Sequence, residues 1–223
     1  MKRGRIVVRI EIATLLDGNG KLNHQKMDRL VMVLSNLQNS GKELLLVSSG
    51  AIVLGIEKLG LKINMQDYSS LMAAAAIGQA ELIKLYQKYF DQFNQMIAQV
   101  LLTTDIVDNP KRRINTENTF RNLLERNIIP IINENDVVST ADIELDDNYP
   151  LARNVAIISK ADIILIKSDV NSNYIIQPRN GMKAIMVKSE PELFSELDRL
   201  CVGFGKIPEK EYLFPNNIEE LVF

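Results

Sequence analysis

Short apolar runs recur along this chain, and most are followed by a polar break and then by a stretch of helical period. Residues 5–12 alternate loosely and are rich in Val and Ile, which suits a first strand. Asn23 is placed to cap a helix over 24–39 with Met27, Leu30, Val31, Leu34 and Leu37 on one face, and Gly41 closes it. Residues 43–47 read as a short buried strand, ended by Ser48-Ser49-Gly50-Ala51, and 51–59 as the helix that follows. A long helix is expected over 69–93, with a patch of small residues at 73–76 that lets another element approach closely. Strand 96–102, helix 115–126 and strand 128–132 come next. Residues 141–145 suit a short hairpin strand, 151–160 a helix, and 162–167 a strand. A turn at 177–181 and a helix over 190–201, capped by Ser189 with Pro191 in its first turn, complete the pattern. Beyond Gly203 the chain is polar and broken by Pro208 and Pro215, which predicts poor order. Alternation of strands and helices throughout implies an α/β fold, a three-layer α/β/α sandwich around a mostly parallel sheet. One domain over 1–223 is expected, with no internal repeat or linker.

Composition narrows the function classes. A formal net charge of -2 gives no electrostatic reason to expect a nucleic-acid or membrane partner. No stretch approaches the roughly 18 apolar residues of a membrane span. The basic start MKRGR precedes a run interrupted by Arg9 and Glu11, which suits a first strand better than a leader. One cysteine, Cys201, excludes an internal disulfide framework and permits a reducing compartment. One Cys and one His cannot build a metal cluster, whereas Mg²⁺ held mainly by nucleotide phosphates fits.

The densest polar signal is IIPIINENDVV at 128–138. Asn133, Glu134, Asn135 and Asp136 follow an apolar strand directly, and parallel sheets bind ligands at that edge. Burying such groups without partners costs several kcal/mol in total, and a bound ligand is a natural partner. The plainer alternative is an Asx-turn with a solvated Glu134. A second cluster, Asp146-Asp147-Asn148-Tyr149, has an aromatic ring where a further carboxylate would suit a companion site. Ser48-Ser49-Gly50-Ala51 opens a helix whose first N–H groups could bind an anion, or is simply an N-cap with a glycine turn. Ser168-Asp169 ends strand 162–167 and could contact a nucleotide or cap a turn. Lys210, in a glycine-containing loop, could reach a phosphate or stay solvated. Arg9 must be paired or face a ligand if its strand is central, and His24 reads as a surface residue.

Taken together, VSSGAIVLGIEKLG (47–60), AAAIGQAELIKLY (74–86), AQVLLTTDI (98–106) and IIPIINENDVVSTADIEL (128–145) resemble the amino acid kinase family, and within it the glutamate 5-kinases. The resemblance runs from Ile6 to about Lys210. It implies phosphorylation of the L-glutamate side-chain carboxylate by ATP with Mg²⁺, the first step of proline biosynthesis, in the cytoplasm. It also implies a homo-oligomer and feedback inhibition by proline. Ser49, Asp136 and Asn148 fall at its glutamate positions. Ser168 and Asp169 fall on a Thr-Asp pair that contacts ATP, and Gly205 and Lys210 on a glycine-rich phosphate loop. Arg9 stands where the family has a first-strand lysine, so Arg9 and Lys210 become the catalytic cations.

Several positions depart from the family pattern. Where VVKxGSS is usual, the chain reads Val7-Val8-Arg9-Ile10-Glu11-Ile12-Ala13. Arg9 keeps the charge but not the compact ammonium. Glu11 replaces a glycine and would repel phosphates. GDND becomes Asp146-Asp147-Asn148-Tyr149, and GTGGMxTK becomes Phe204-Gly205-Lys206-Ile207-Pro208-Glu209-Lys210, where Pro208 removes an N–H. Relative to such a domain the chain is expected to be shortened by roughly forty residues after about 210, with no appended RNA-binding-like domain. The alternative that these departures raise is a catalytically impaired relative that acts as a ligand-binding or partner-binding module.

Overall fold

A computed structural model describes residues 4–60, 67–139, 148–167 and 182–202. Six strands, β1 (Arg5–Ile10), β2 (Glu43–Ser48), β3 (Ile97–Leu102), β4 (Ile129–Glu134), β5 (Ile163–Lys167) and β6 (Lys183–Val187), form one sheet in the order β3-β4-β2-β1-β5-β6. Every pairing among them is parallel. The helices are α1 (His24–Asn39), α2 (Ala51–Leu59), α3 (Tyr68–Phe90), α4 (Pro110–Glu125), α5 (Tyr149–Ser159) and α6 (Glu190–Val202).

The strand sequences explain the layering. β1, β2, β4 and β5 are almost wholly apolar because parallel strands in the middle of a sheet are covered on both faces. Alternate residues serve two cores. Ile6, Val8 and Ile10 meet α1, α3 and α6 through Met27, Tyr86, Phe90 and Phe194. Val7, Val47 and Ile164 meet α4 and α5 through Phe120, Leu124, Leu151 and Val155. The connections that step from β1 to β2 and on to β3 use the first face. Those that return through β4 to β5 use the second, as a single crossover hand requires.

α2 and α3 pack backbone to backbone. A Cβ on Gly78 would lie 1.7 Å from the Ala51 carbonyl oxygen, and one on Gly55 would lie 1.8 Å from that of Ala74. The small-residue patch of α3 therefore serves the helix pair. Here α2 is the element that the sequence left unnamed as the close neighbour.

Several elements differ from the sequence reading. β4 runs to Glu134, so Asn133 and Glu134 lie inside the strand, where they pair with Leu101 and Leu102 of β3. α4 starts at Pro110, not near 115, because the Asn109 side chain accepts from the N–H groups of Lys111 and Arg112. α3 ends at Phe90, and 91–93 tighten into a 3₁₀ turn. β6 was not anticipated at all. The expected hairpin strand at 141–145, the turn at 177–181 and the segment beyond Gly203 lie outside the described residues.

Candidate functional site

The strand order creates two crevices at the C-terminal edge. β2 leads outward toward β3, while its neighbour β4 leads back across the sheet to β5. β1 leads toward β2, while its neighbour β5 leads the other way to β6. Adjacent strands whose connections diverge leave a gap above the sheet, which is where open α/β sheets bind ligands.

Between β2 and β4 lies a buried chain of amides. Asn148 Nδ2 donates to the Ser48 carbonyl at 3.1 Å and to Asn133 Oδ1 at 2.7 Å. Asn133 Nδ2 donates to Gln79 Oε1 of α3 at 2.8 Å. The Ser48 hydroxyl shares a 2.9 Å bond with the Tyr86 hydroxyl, whose pKa burial pushes up to about 12. Asn148 occupies the N-cap position of α5, yet its side chain makes no cap. It turns into the crevice instead. Ser49 sits beside Ser48, its N–H bonded to the Ile10 carbonyl at 3.2 Å. Its buried hydroxyl has no partner among the described residues. Gly50 follows at φ 105° and is itself the N-cap of α2, so neither serine is. An added Cβ there would lie 1.9 Å from Ile12 Cγ2. Only glycine satisfies both the backbone angle and that approach. The first N–H groups of α2 thus open onto the same edge.

After β4 the chain turns at once. Asn135 N–H donates to the Leu102 carbonyl at 2.7 Å, and the N–H groups of Val138 and Ser139 both return to the Asn135 carbonyl. Glu134 braces this loop. Its carboxylate accepts from the Thr104 N–H at 3.2 Å and from the Ser139 hydroxyl at 3.1 Å. Burial raises its pKa above the ordinary carboxylate value, the two hydrogen bonds oppose that rise, and Asp136 and Asp105 add to it. Asp136 is half-buried in the turn. With Gln79 it lines a cavity of about 430 Å³ between α3 and the ends of β3 and β4. Ser49 and Asn148 do not line that cavity, so the loop carries Asp136 along its wall.

Between β1 and β5 lies the second crevice. Arg9 is buried in the central strand, and its guanidinium donates to Glu11 Oε1 at 2.7 Å and to the Lys167 carbonyl at 3.0 Å. Of the two options open to a charge in a central strand, a partner or a ligand, Arg9 has a partner. Glu11 neutralises the charge that was expected to face phosphate. Ile12, fully buried on Gly50, closes the turn after β1 with an apolar group. Tyr149, expected beside the site, instead buries its side chain among the residues of the α4–α5 core. Ser168, Asp169, Gly205 and Lys210 lie outside the described residues, as do Asp146 and Asp147.

The structure thus brings Ser49, Asn148 and Asp136 to the ends of adjacent strands, with Arg9 one crevice away. Sequence reasoning missed Gln79 and Tyr86. Both are polar residues on the otherwise apolar buried face of α3, next to Gly78 and Leu82, and that break in the face was the available signal.

Residues 13–187 match the profile of the amino acid kinase family. A glutamate 5-kinase of Listeria welshimeri is 41% identical over 205 residues, covering 90% of this chain and 74% of the relative. A glutamate 5-kinase of Enterococcus faecalis is 38% identical over the same length, with 76% of the relative covered. Among solved structures, a Giardia carbamate kinase superposes with a TM-score of 0.53 at 16% identity, over 80% of this chain and 77% of that one. The last is a likeness of fold.

Proposed function

The chain belongs to the amino acid kinase family, and we propose that within it the protein is an ATP-dependent glutamate 5-kinase, which makes glutamyl 5-phosphate for proline biosynthesis. Identity of about 40% to glutamate 5-kinases across nine-tenths of the chain supports the substrate pair. The observation that carries the reading is the polar crevice between β2 and β4. It offers a buried hydroxyl donor at Ser49, the N-terminus of α2 and an amide at Asn148, and the loop that leaves β4 carries a carboxylate at Asp136 along the wall of the neighbouring cavity. Donors for a carboxylate and acceptors for an ammonium are what a free amino acid requires.

A side-chain carboxylate oxygen of the bound glutamate attacks the γ-phosphorus of ATP, the new O–P bond forms, and ADP leaves with the electrons of the broken bond. Such transfers need positioning and charge neutralisation more than covalent help. Ser49, Asp136 and Asn148 orient the glutamate. Arg9 and Lys210 supply cationic charge at the phosphates, and Ser168, Asp169 and Gly205 hold the nucleotide. Among the described residues no three carboxylate, histidine or cysteine side chains gather to hold a metal. Mg²⁺ enters in this reading with the nucleotide, whose phosphates would be its main ligands and whose charge it would offset.

Cytoplasmic operation, proline as a feedback inhibitor and homo-oligomerisation belong to the same proposal. For the last, exposed Leu101 and Val137 share a cavity beside β3, the outermost strand on its side among the described residues, an apolar margin that a second copy would cover. No helix among the described residues is long and apolar enough to cross a membrane.

The test is L-glutamate-dependent release of ADP from MgATP by the purified protein. Absence of that release, together with absence of glutamate binding by calorimetry, overturns the reading. The Arg9–Glu11 pair and Ile12 on Gly50 favour a second reading, a relative that binds glutamate without turning over ATP. Calorimetry that detects glutamate but not MgATP supports that reading, and tight MgATP binding sinks it.

A further inference from the structure

The amide chain has a fixed polarity, and its anchor is a backbone carbonyl. The Ser48 carbonyl can only accept, so the Asn148 group facing it must be the NH₂. The second N–H of that NH₂ points at Asn133, whose facing atom must then be Oδ1. The NH₂ of Asn133 is consequently turned toward α3, where Gln79 has to present Oε1. All three side chains are buried. In such surroundings an amide with mismatched donors and acceptors costs its full desolvation, so the polarity is strongly held.

From this we infer that Gln79 is a positioning residue for the amino acid site: by accepting from Asn133 it keeps the Asn148 carbonyl oxygen turned toward the ligand, ready to accept from an ammonium group. The inference rests on the proposed glutamate site. Both Asn148 donors are spent inside the protein, and its Oδ1 makes no hydrogen bond among the described residues. An asparagine at a helix N-cap usually spends that oxygen on the N–H groups of the first turn. Here α5 goes without a side-chain cap, which leaves the acceptor for something else. In this proposal Gln79 spends its acceptor on Asn133 and not on the ligand. It acts through Asn133, across the seam between α3 and β4.

Polarity makes the test specific. Gln79→Glu keeps an acceptor of the same shape, whereas Gln79→Leu keeps the bulk and removes the acceptor. L-Glutamate affinity is to be measured by calorimetry, with KM for glutamate and for ATP in the same preparations and thermal unfolding alongside. The expected result is a glutamate Kd about tenfold weaker in Gln79→Leu, an ATP KM within about twofold of the parent, and recovery to within about threefold in Gln79→Glu. Equal weakening in both variants, or none in either, overturns the proposal, since a merely structural role would not follow acceptor capacity. Hydrogen exchange of the Asn148 side-chain NH₂ without ligand provides an independent readout. Protection in the parent and in Gln79→Glu with loss in Gln79→Leu supports the relay, and protection unchanged in Gln79→Leu overturns it. A parent protein that binds no glutamate but shows the protected NH₂ sinks the proposed substrate and leaves the relay standing.

Discussion

Arg9 shows how one neighbour changes the meaning of a charge. From sequence it was the substitute for a phosphate-facing lysine, and the structure gives it Glu11 as a close, poorly solvated partner. A buried cation in a central strand needs such a partner to offset its desolvation. In the proposed reading the same carboxylate stands where triphosphate would approach. Replacing Glu11 by Gln keeps an acceptor for Arg9 but removes the negative charge. The variant is expected to lose on the order of 1 kcal/mol, the difference between a charged and a neutral hydrogen bond, and to lower the KM for ATP several-fold, whereas Glu11→Asp leaves that KM high. Steady-state kinetics and urea unfolding on the three proteins check both parts. Glu134 carries a second prediction. Its pKa is raised in the fold, chiefly by burial, so the folded protein holds that proton more tightly than the unfolded chain does. Stability from this group is complete below the ordinary carboxylate pKa and is lost as pH rises through the raised value. Glu134→Gln, which mimics the protonated form, should therefore unfold near the parent temperature in acid and gain on the parent as pH rises to neutrality. A gap that shrinks with rising pH would contradict that assignment.

Helix pairing links the core to the site. Gly55 and Gly78 let α2 and α3 meet at their backbones, and Gln79 is the next residue along. Gly78→Ala places a methyl on the Ala51 carbonyl, a collision that only a shift of α2 or α3 relieves. Overpacking of this kind costs about 1–3 kcal/mol. Because the shift moves both the α2 N-terminus and Gln79, glutamate affinity is expected to fall with stability, whereas Gly18→Ala, with nothing within 4 Å, leaves affinity unchanged. Chemical denaturation and calorimetry on the two variants decide it. Most elements could be read from the sequence, and the exceptions share a cause. α1 and α2 were placed to the residue because a capping asparagine with a one-sided apolar face marked the first and a glycine turn marked the start of the second. α4 was begun too late because only Thr116, Phe120 and Leu124 of it are buried, so its first turn shows no period and only Asn109-Pro110 marks the start. β6 is short, begins with an exposed lysine and is a strand only through its pairing with β5. Asn133 and Glu134 were set beyond β4 because polarity usually ends a buried strand. Pairing with β3 extends it, and α3 supplies the partner that keeps Asn133 inside.

The arrangement of the whole sheet separates two jobs that the sequence could list but not place. Ser49, Asp136 and Asn148 are distant along the chain, and only the order β4-β2-β1-β5 shows that Ser49 and Asn148 meet between β2 and β4, with Asp136 on the loop that leaves β4, while Arg9 lies between β1 and β5. No local pattern encodes that order. It follows from which face each connecting helix covers, which becomes visible only when the two cores are assigned. Adjacent crevices over a common pair of central strands suit a reaction between two bound substrates. β1 and β2 are paired over their whole length, so the two sites share a rigid floor. If the division holds, damage at one crevice should leave binding at the other intact. Ser49→Ala removes a buried hydroxyl that has no partner among the described residues, so the fold loses little and the amino acid loses a donor. It is expected to weaken glutamate binding about tenfold with nucleotide binding unchanged. The variant Arg9→Gln removes the guanidinium and leaves the Glu11 carboxylate in the other crevice. It is expected to weaken binding of MgATP, or of a non-hydrolysable analogue, and to leave glutamate binding at the parent value. Titration of each ligand into each variant measures the four affinities. Loss of both ligands in the Ser49→Ala protein, at unchanged thermal stability, would mean that the two crevices are one site.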